Sequence, residues 1–268
     1  MTLPEFIAAG EEIKGKFPAV APQHGYFRQH AARLCQACNR FELFAGNLGD
    51  VLEIGPFYGY TPFILRPACS SYTVLEGDDP AVHALEDLYR QHDIRFSYID
   101  FFDLFGPTRT ATHALAIPDA SFDRILCWET MEHFNFNPVK FVRELHRVLR
   151  PGGRAFITVP NKAAFQAIAA LLTGRGERQA IENFFKYENY ESNGKKAYYG
   201  FHWREYSSPE LAQLFAGTGF NVERCGTLVA FQDHGRTGLM RKLARAAARV
   251  AAAVFGRFGT HVYLVARK

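Results

Sequence analysis

The sequence has no uninterrupted apolar run of the roughly 18 residues that a membrane-spanning helix needs. Nor does a basic region precede its first apolar residues. Residues 1–10 carry Glu5 and neither lysine nor arginine, which argues against a secretory signal and makes the cytoplasm the expected location. Cysteine is scarce: Cys35, Cys38, Cys69, Cys127 and Cys225 are odd in number and scattered, so reduced thiols are expected rather than a disulfide framework. Cys35 and Cys38 form a lone C-x-x-C in a helical-looking segment, which reads as helix packing before zinc or redox chemistry. Strong charge of either sign is also missing. A net charge of +4, with no basic stripe interleaved with stacking aromatics, disfavours a nucleic-acid partner.

What is present is an ordinary globular composition, 48% hydrophobic and 22% charged, in a chain of 268 residues. That length can bury a core as one domain with a sizeable insertion. The chain is organised around Val51-Leu-Glu-Ile-Gly-Pro-Phe-Tyr-Gly-Tyr-Thr-Pro-Phe-Ile-Leu65. Its first apolar run is short enough for a buried strand, its glycines mark a tight turn, and Thr61 to Leu65 can start a helix. Strand, glycine loop and helix form the usual entry to a nucleotide site in a doubly wound fold, with the ligand across the carboxyl end of the first strand.

Residues 24–45 read as a helix on the spacing of Tyr26, Phe27, Ala31, Leu34, Cys38 and Phe41. Tyr26, Arg28 and His30 could reach a ligand there, although an aromatic packing face is the simpler reading. Further strands are expected over 71–76, 94–99, 124–127, 155–159, 220–225 and 261–266. Helices are expected from 80 to 90, 138 to 149 and 209 to 219. Residues 101–113 read as a glycine- and proline-containing connection and 151–154 as a turn. Alternating βα units predict an α/β fold: a Rossmann-like, seven-stranded, mostly parallel sheet with helices on both faces. Glu76 ends the second strand 21 residues beyond Gly55, near the separation at which an acid meets ribose hydroxyls.

Three motifs in order then carry a resemblance to the class I S-adenosylmethionine-dependent methyltransferases of the ubiquinone and glycan type. They are Val51-Leu-Glu-Ile-Gly-x-x-x-Gly59, Asp119-Ala-Ser-Phe-Asp-Arg-Ile-Leu-Cys-Trp-Glu-x-x-Glu-His133, and Phe141-x-x-Glu-Leu-x-Arg-Val-Leu-Arg-Pro-Gly-Gly153. The resemblance implies S-adenosylmethionine as cofactor, with Glu53, Gly55, Phe57 and Gly59 in its loop and Glu76 on the ribose. It also implies Asp100 and Phe101 beside the adenine, and Cys127 to Glu129 at the methionine end. Phe57 stands where the family usually has a third glycine, which also weighs against a dinucleotide, because a pyrophosphate needs bare backbone there. Residues 1–47 are expected as helices covering the site and 48–268 as the methyltransferase domain, with a substrate-side insertion at about 162–200.

Methyl transfer from a sulfonium needs positioning and, for a hydroxyl acceptor, a base. His133 follows the fourth strand, and His202 sits in a segment resembling the His-x-Arg-Glu-Tyr that faces substrate in many relatives. Both are candidate catalytic groups together with Glu129. Glu129-x-x-Glu-His133 also looks like the divalent-metal motif of some relatives, completed by a later histidine, which would admit Mg²⁺. The insertion, rich in aromatic and polar residues from Phe184 to Tyr199, reads as a substrate lid or a packed helical insertion. Near the C-terminus Leu239, Leu243, Ala247, Val250 and Val254 share a helical face opposite Arg241, Lys242, Arg245 and Arg249. That pattern reads as a packed helix with a solvated charged face, peripheral membrane contact being the alternative. The expected activity is O-methylation of a small-molecule or glycan hydroxyl. N-methylation, a quinone precursor, an RNA 2′-hydroxyl and an inactive accessory protein are the alternatives.

Overall fold

β1 (Asp50–Ile54) is buried on both faces, which places it in the middle of a sheet covered on two sides. The computed structural model describes residues 1–106, 112, 114–174, 191–192, 195–196, 201–231, 238, 243, 245–247, 249–250 and 254–268. The other strands of the sheet are β2 (Ser71–Gly77), β3 (Arg95–Ile99), β4 (Phe122–Trp128), β5 (Leu149–Pro160), β6 (Asn221–Leu228) and β7 (His261–Arg267). Their order is β3-β2-β1-β4-β5-β7-β6, with β7 antiparallel to both its neighbours and the rest parallel. The chain reverses its direction of travel across the sheet between β1 and β4, and a doubly wound sheet opens its crevice at such a point.

Alternate residues of the strands feed two cores. Val51, Tyr72, Val74 and Trp128 pack under α1 (Leu3–Lys16), α2 (His24–Arg40) and α3 (Thr61–Leu65), against Phe6, Phe27 and Leu34. Leu52, Ile54, Ile125 and Ile157 pack on the other face against α6 (Pro138–Val148) and α8 (Ser208–Ala216), through Phe141, Leu145 and Phe215. The N-terminal helices therefore share one core with the sheet. α4 (Glu86–Gln91), α5 (Phe101–Phe105) and α7 (Phe165–Leu172) complete the helices named here. α6 starts where Asn137 accepts the Val139 N–H at 3.0 Å and Pro138 supplies a preset φ. Arg147, in the third sequence motif, is structural: it binds the Leu115 and Ile117 carbonyls, Asp119 and Glu144, pinning the approach to β4.

Several sequence expectations change. Residues 151–154 are not a free turn but the irregular start of β5, where the pairing with β4 jumps from Leu149 to Arg154 and Gly152 takes φ +81°. The connection after β3 opens with α5, because Asp100 accepts the Phe102 and Asp103 N–H groups at 3.0 Å and caps a helix. β6 runs three residues further than expected, to Leu228. The expected inward apolar face near the C-terminus is turned outward, with Leu243, Val250 and Val254 exposed at 57%, 63% and 67%. Most of the expected insertion, including Phe184, Phe185, Lys186, Tyr187, Tyr190, Asn193, Tyr198 and Tyr199, lies outside the described residues, as do Leu239, Arg241 and Lys242. Cys35 and Cys38 are free and buried within α2. Among the described residues no helix is long and apolar enough to cross a membrane.

One buried acid joins these elements. Glu53 of β1 is fully buried, and its two carboxyl oxygens accept the hydroxyls of Thr61, at the start of α3, and Tyr72, in β2. Burial raises its pKa from 4.5 to about 7, against the opposing effect of those hydroxyls. A raised carboxyl contributes stability that is complete below its unfolded pKa and is lost as pH rises through the folded value. Thermal melts of the ligand-free protein are therefore expected to show falling stability between pH 4.5 and about 7. Glu53→Gln should flatten that fall, by at most about 3.4 kcal/mol across the interval, and an unchanged slope would contradict a neutral Glu53.

Candidate active site

The glycine loop after β1 is held by left-handed backbone at Gly55 (φ +64°), Phe57 (φ +45°) and Tyr60 (φ +59°). At Gly55 a side chain would also collide, since a Cβ would stand 2.7 Å from the Thr130 hydroxyl oxygen. Gly59 serves close packing instead, its Cα facing Leu34 of α2. Phe57 adopts the backbone that a glycine would take without strain, and its ring packs edge-on against Tyr26 at 4.9 Å. Its N–H donates to the Glu76 carboxylate at 2.9 Å, and the Gly77 N–H reaches the other oxygen at 3.3 Å. Glu76 is buried at the carboxyl end of β2, and burial raises its pKa to about 8 despite those two donors.

Beyond β4 and β5 the carboxyl edge opens into a cavity of about 580 Å³. Its floor comes from the turn after β4. Residues 131–133 form a single 3₁₀ turn, and the backbone N–H groups of Trp203 and Arg204 donate to the Glu132 carbonyl at 2.7 and 3.3 Å. That docking brings His202 against His133, ring centroids 5.0 Å apart. Glu132, His133 and His202 each offer one ligand atom within 4.8 Å of the others. His133 Nδ1 lies 2.8 Å from the Phe201 carbonyl oxygen, so in the neutral ring Nδ1 carries the proton and Nε2 is left as an acceptor. Burial lowers the His133 pKa to about 4 and raises that of Glu132 to about 7. Neither Glu132 carboxyl oxygen has a hydrogen-bond partner among the described residues.

Glu129 lines the same cavity but does not join this cluster. It sits in left-handed backbone (φ +46°), and its carboxylate pairs with Arg33 at 3.0 Å and approaches His261 at 3.6 Å. The Arg33–Glu129 pair is nearly closed to solvent, with side-chain exposures of 8% and 9%. Asp100 stands at the carboxyl end of β3, spent on its helix cap, and Phe101 is buried against Phe134 and Phe141. Cys127 points into the core under α6, fully buried, so its thiol does not reach the cavity.

Three residues of α2, Tyr26, His30 and Arg33, form one wall of the cavity. Their i, i+4, i+7 spacing was a readable signal for a shared face, and Arg33 is the member that sequence reasoning missed. Arg28, grouped with them in the sequence, pairs with Glu11 at 3.3 Å and does not line the cavity. His261 and Gln166 also reach the cavity from β7 and α7. Nothing local in the sequence distinguishes them, because only the antiparallel pairing of β5 with β7 sets Pro160 beside His261.

Known proteins bear on this geometry. A Mycolicibacterium smegmatis protein described as a probable S-adenosylmethionine-dependent methyltransferase is 28% identical over 221 residues, 81% of this chain and 67% of that protein. A Mycobacterium tuberculosis protein described in the same way is 24% identical over 78% of this chain, which spans 61% of its length. Among solved structures, one chain of the complex between the Haloferax volcanii Trm112 methyltransferase activator and a methyltransferase superposes with a TM-score of 0.60. The two share 17% identity, with 94% of this chain and 96% of that chain covered. The [4+2]-cyclase SpnF superposes at 0.53 with 19% identity, covering 90% and 82%, so this fold does not by itself fix a reaction. The family model of the methyltransferase domain, however, matches residues 26–224, about three-quarters of the sequence, and the chain belongs to that family.

Proposed function

We propose that this enzyme transfers a methyl group from S-adenosylmethionine to a hydroxyl of a small-molecule or glycan acceptor held in the cavity. The observation that carries the reading is the convergence of Glu132, His133 and His202 beside the switch point between β1 and β4. The loop from Gly55 to Gly59 would receive the cofactor, with Glu76 on the ribose and Asp100 and Phe101 at the adenine end. Glu76 suits that part: it is buried, carries only backbone donors, and has a raised pKa, so two further hydroxyl donors would restore its charge. Cys127 would contribute only backbone. When bound, S-adenosylmethionine supplies an electrophilic methyl on a sulfonium, whose C–S bond breaks as the new O–C bond forms.

The chain's own work is to orient the acceptor and take its proton. His133 Nε2 is the free acceptor atom, and Glu132 lies 4.0 Å from it, close enough to stabilise the imidazolium as it forms. Burial keeps His133 neutral at physiological pH, while Glu132 titrates near 7 and sets the charge that supports it. The Arg33–Glu129 pair stiffens the wall between α2 and the turn after β4, so Glu129 acts as a positioning residue in this scheme.

A second reading rests on the unpartnered oxygens of Glu132. One carboxylate and two imidazoles suit a divalent cation, Mn²⁺ or Zn²⁺ better than Mg²⁺ on donor type, held by Glu132, His133 and His202. Such an ion would lower the pKa of the acceptor hydroxyl and relieve His133 of the base's task.

Calorimetry with S-adenosylhomocysteine tests the cofactor assignment: Glu76→Ala should weaken binding by about 1–3 kcal/mol, roughly 5- to 150-fold. An unchanged affinity would remove Glu76 from the ribose. Glu132→Gln and His133→Asn should each lower kcat by on the order of 10²- to 10⁴-fold with S-adenosylhomocysteine affinity retained. Because the working form has Glu132 ionised, kcat/KM should rise with pH up to about 7 and then level. A profile flat across that range would contradict the assignment. Full turnover in EDTA excludes the metal reading, whereas loss that Mn²⁺ or Zn²⁺ restores supports it over the metal-free base.

A further inference from the structure

The rim of the cavity is apolar where it meets solvent. Of the eleven large hydrophobic side chains exposed among the described residues, seven lie in α7 and in the segment just before β7. α7 (FQAIAALL) carries no charged residue and buries none of its side chains, with Leu171 and Leu172 exposed at 59% and 84%. In the second segment residues 243, 245–247, 249–250 and 254–255 are helical, and Leu243, Val250, Val254 and Phe255 are all more than half exposed. The two segments are latched together: the Phe165 N–H donates to the Phe258 carbonyl at 3.2 Å, and Asn161 Nδ2 donates to the carbonyls of Arg257 and Gly259. Both also reach the cavity, through Gln166 and Arg245.

Charge follows the same division. Residues 238–258 contain Arg241, Lys242, Arg245, Arg249 and Arg257 and no acidic residue, a net +5, while the whole chain carries 31 − 27 = +4. The remaining residues therefore sum to −1, so the basic excess belongs to this stretch of sequence, of which Arg245, Arg249 and Arg257 are among the described residues. The guanidinium groups of Arg245 and Arg249 lie over the Phe231 ring at 5.5 and 5.8 Å, and Arg249 remains exposed beside the aliphatic side chains. A stripe of aliphatic side chains backed by arginines would be costly in water. It matches an anionic lipid surface, where the apolar side enters the acyl boundary and the cations meet the headgroups.

We propose that this rim docks the enzyme onto an anionic lipid bilayer, turning the mouth of the cavity toward the membrane so that a lipid-borne or amphiphilic acceptor can enter it. The docking stands on the surface alone, and the acceptor class rests on the reading of the cavity as the acceptor site. Among the described residues no helix is long and apolar enough to cross a membrane, and the contact proposed is peripheral and reversible.

Flotation of the full chain with vesicles tests this. Binding to vesicles of equimolar phosphatidylcholine and phosphatidylglycerol is expected, with little binding to phosphatidylcholine alone and release at high salt. Val250→Asp with Phe255→Asp should reduce the bound fraction by on the order of tenfold or more. If circular dichroism shows that this variant misfolds, Val254→Ser with Arg257→Ser should give a reduction in the same direction. Absence of binding, or equal binding to both vesicle types, overturns the proposal. So does sedimentation showing a dimer that Val250→Asp dissociates, because the face would then belong to a second copy. S-adenosylhomocysteine calorimetry on the same samples separates the two readings: unaltered cofactor affinity with failed flotation overturns docking and leaves the methyl-transfer reading intact.

Discussion

The structure turns on the carboxyl of Glu53. It is fully buried at the centre of the sheet, and it is tolerated because Thr61 and Tyr72 both direct hydroxyls at it. Those two contacts tie the end of β1 to the start of α3 and to β2, so the loop between them has little freedom. Within that span the chain must turn sharply, and it does so through left-handed backbone at Gly55, Phe57 and Tyr60. Only one of the three is glycine. The strain at the other two is held by aromatic packing, Phe57 against Tyr26 and Tyr60 against Phe27.

The same physics recurs along the carboxyl edge of the sheet. Glu53, Glu76 and Glu132 are all buried carboxyls whose pKa values burial pushes upward, to about 7, 8 and 7. A fourth acid there, Glu129, is paired with Arg33. Acids in such surroundings gain from any ligand that brings donors or positive charge, which is why perturbed carboxyls gather where ligands bind. Glu53 is already satisfied within the fold, whereas Glu76 and Glu132 retain unused acceptor capacity facing the loop and the cavity. The division separates the acid that builds the site from the acids available to work in it.

Much of this was legible in the sequence, for identifiable reasons. Parallel strands buried on both faces read as short apolar runs, so β1 to β5 and their order of alternation followed from pattern alone. The strand edges did not, because Gly152 in left-handed backbone lets β5 begin as an irregular extension of a segment that looks like a turn. His133 and His202 could be linked only through a family motif. What joins them physically is a pair of backbone hydrogen bonds to Glu132, about 70 residues apart in sequence, which no periodicity records. Glu129 was expected beside Glu132 and His133, but one left-handed residue turned it toward α2. The amphipathic pattern near the C-terminus predicts a packed apolar face, whereas Leu243, Val250 and Val254 are exposed, since a pattern states that faces differ and not which one meets the core.

A crystal structure with S-adenosylhomocysteine would test the central claim most directly, that the loop held by Glu53 seats the cofactor and the neighbouring cavity receives the acceptor. The account predicts the ribose hydroxyls on Glu76 and the cofactor sulfur opening toward Glu132, His133 and His202. A nucleoside bound away from Glu76, or a sulfur facing away from that cluster, would contradict it.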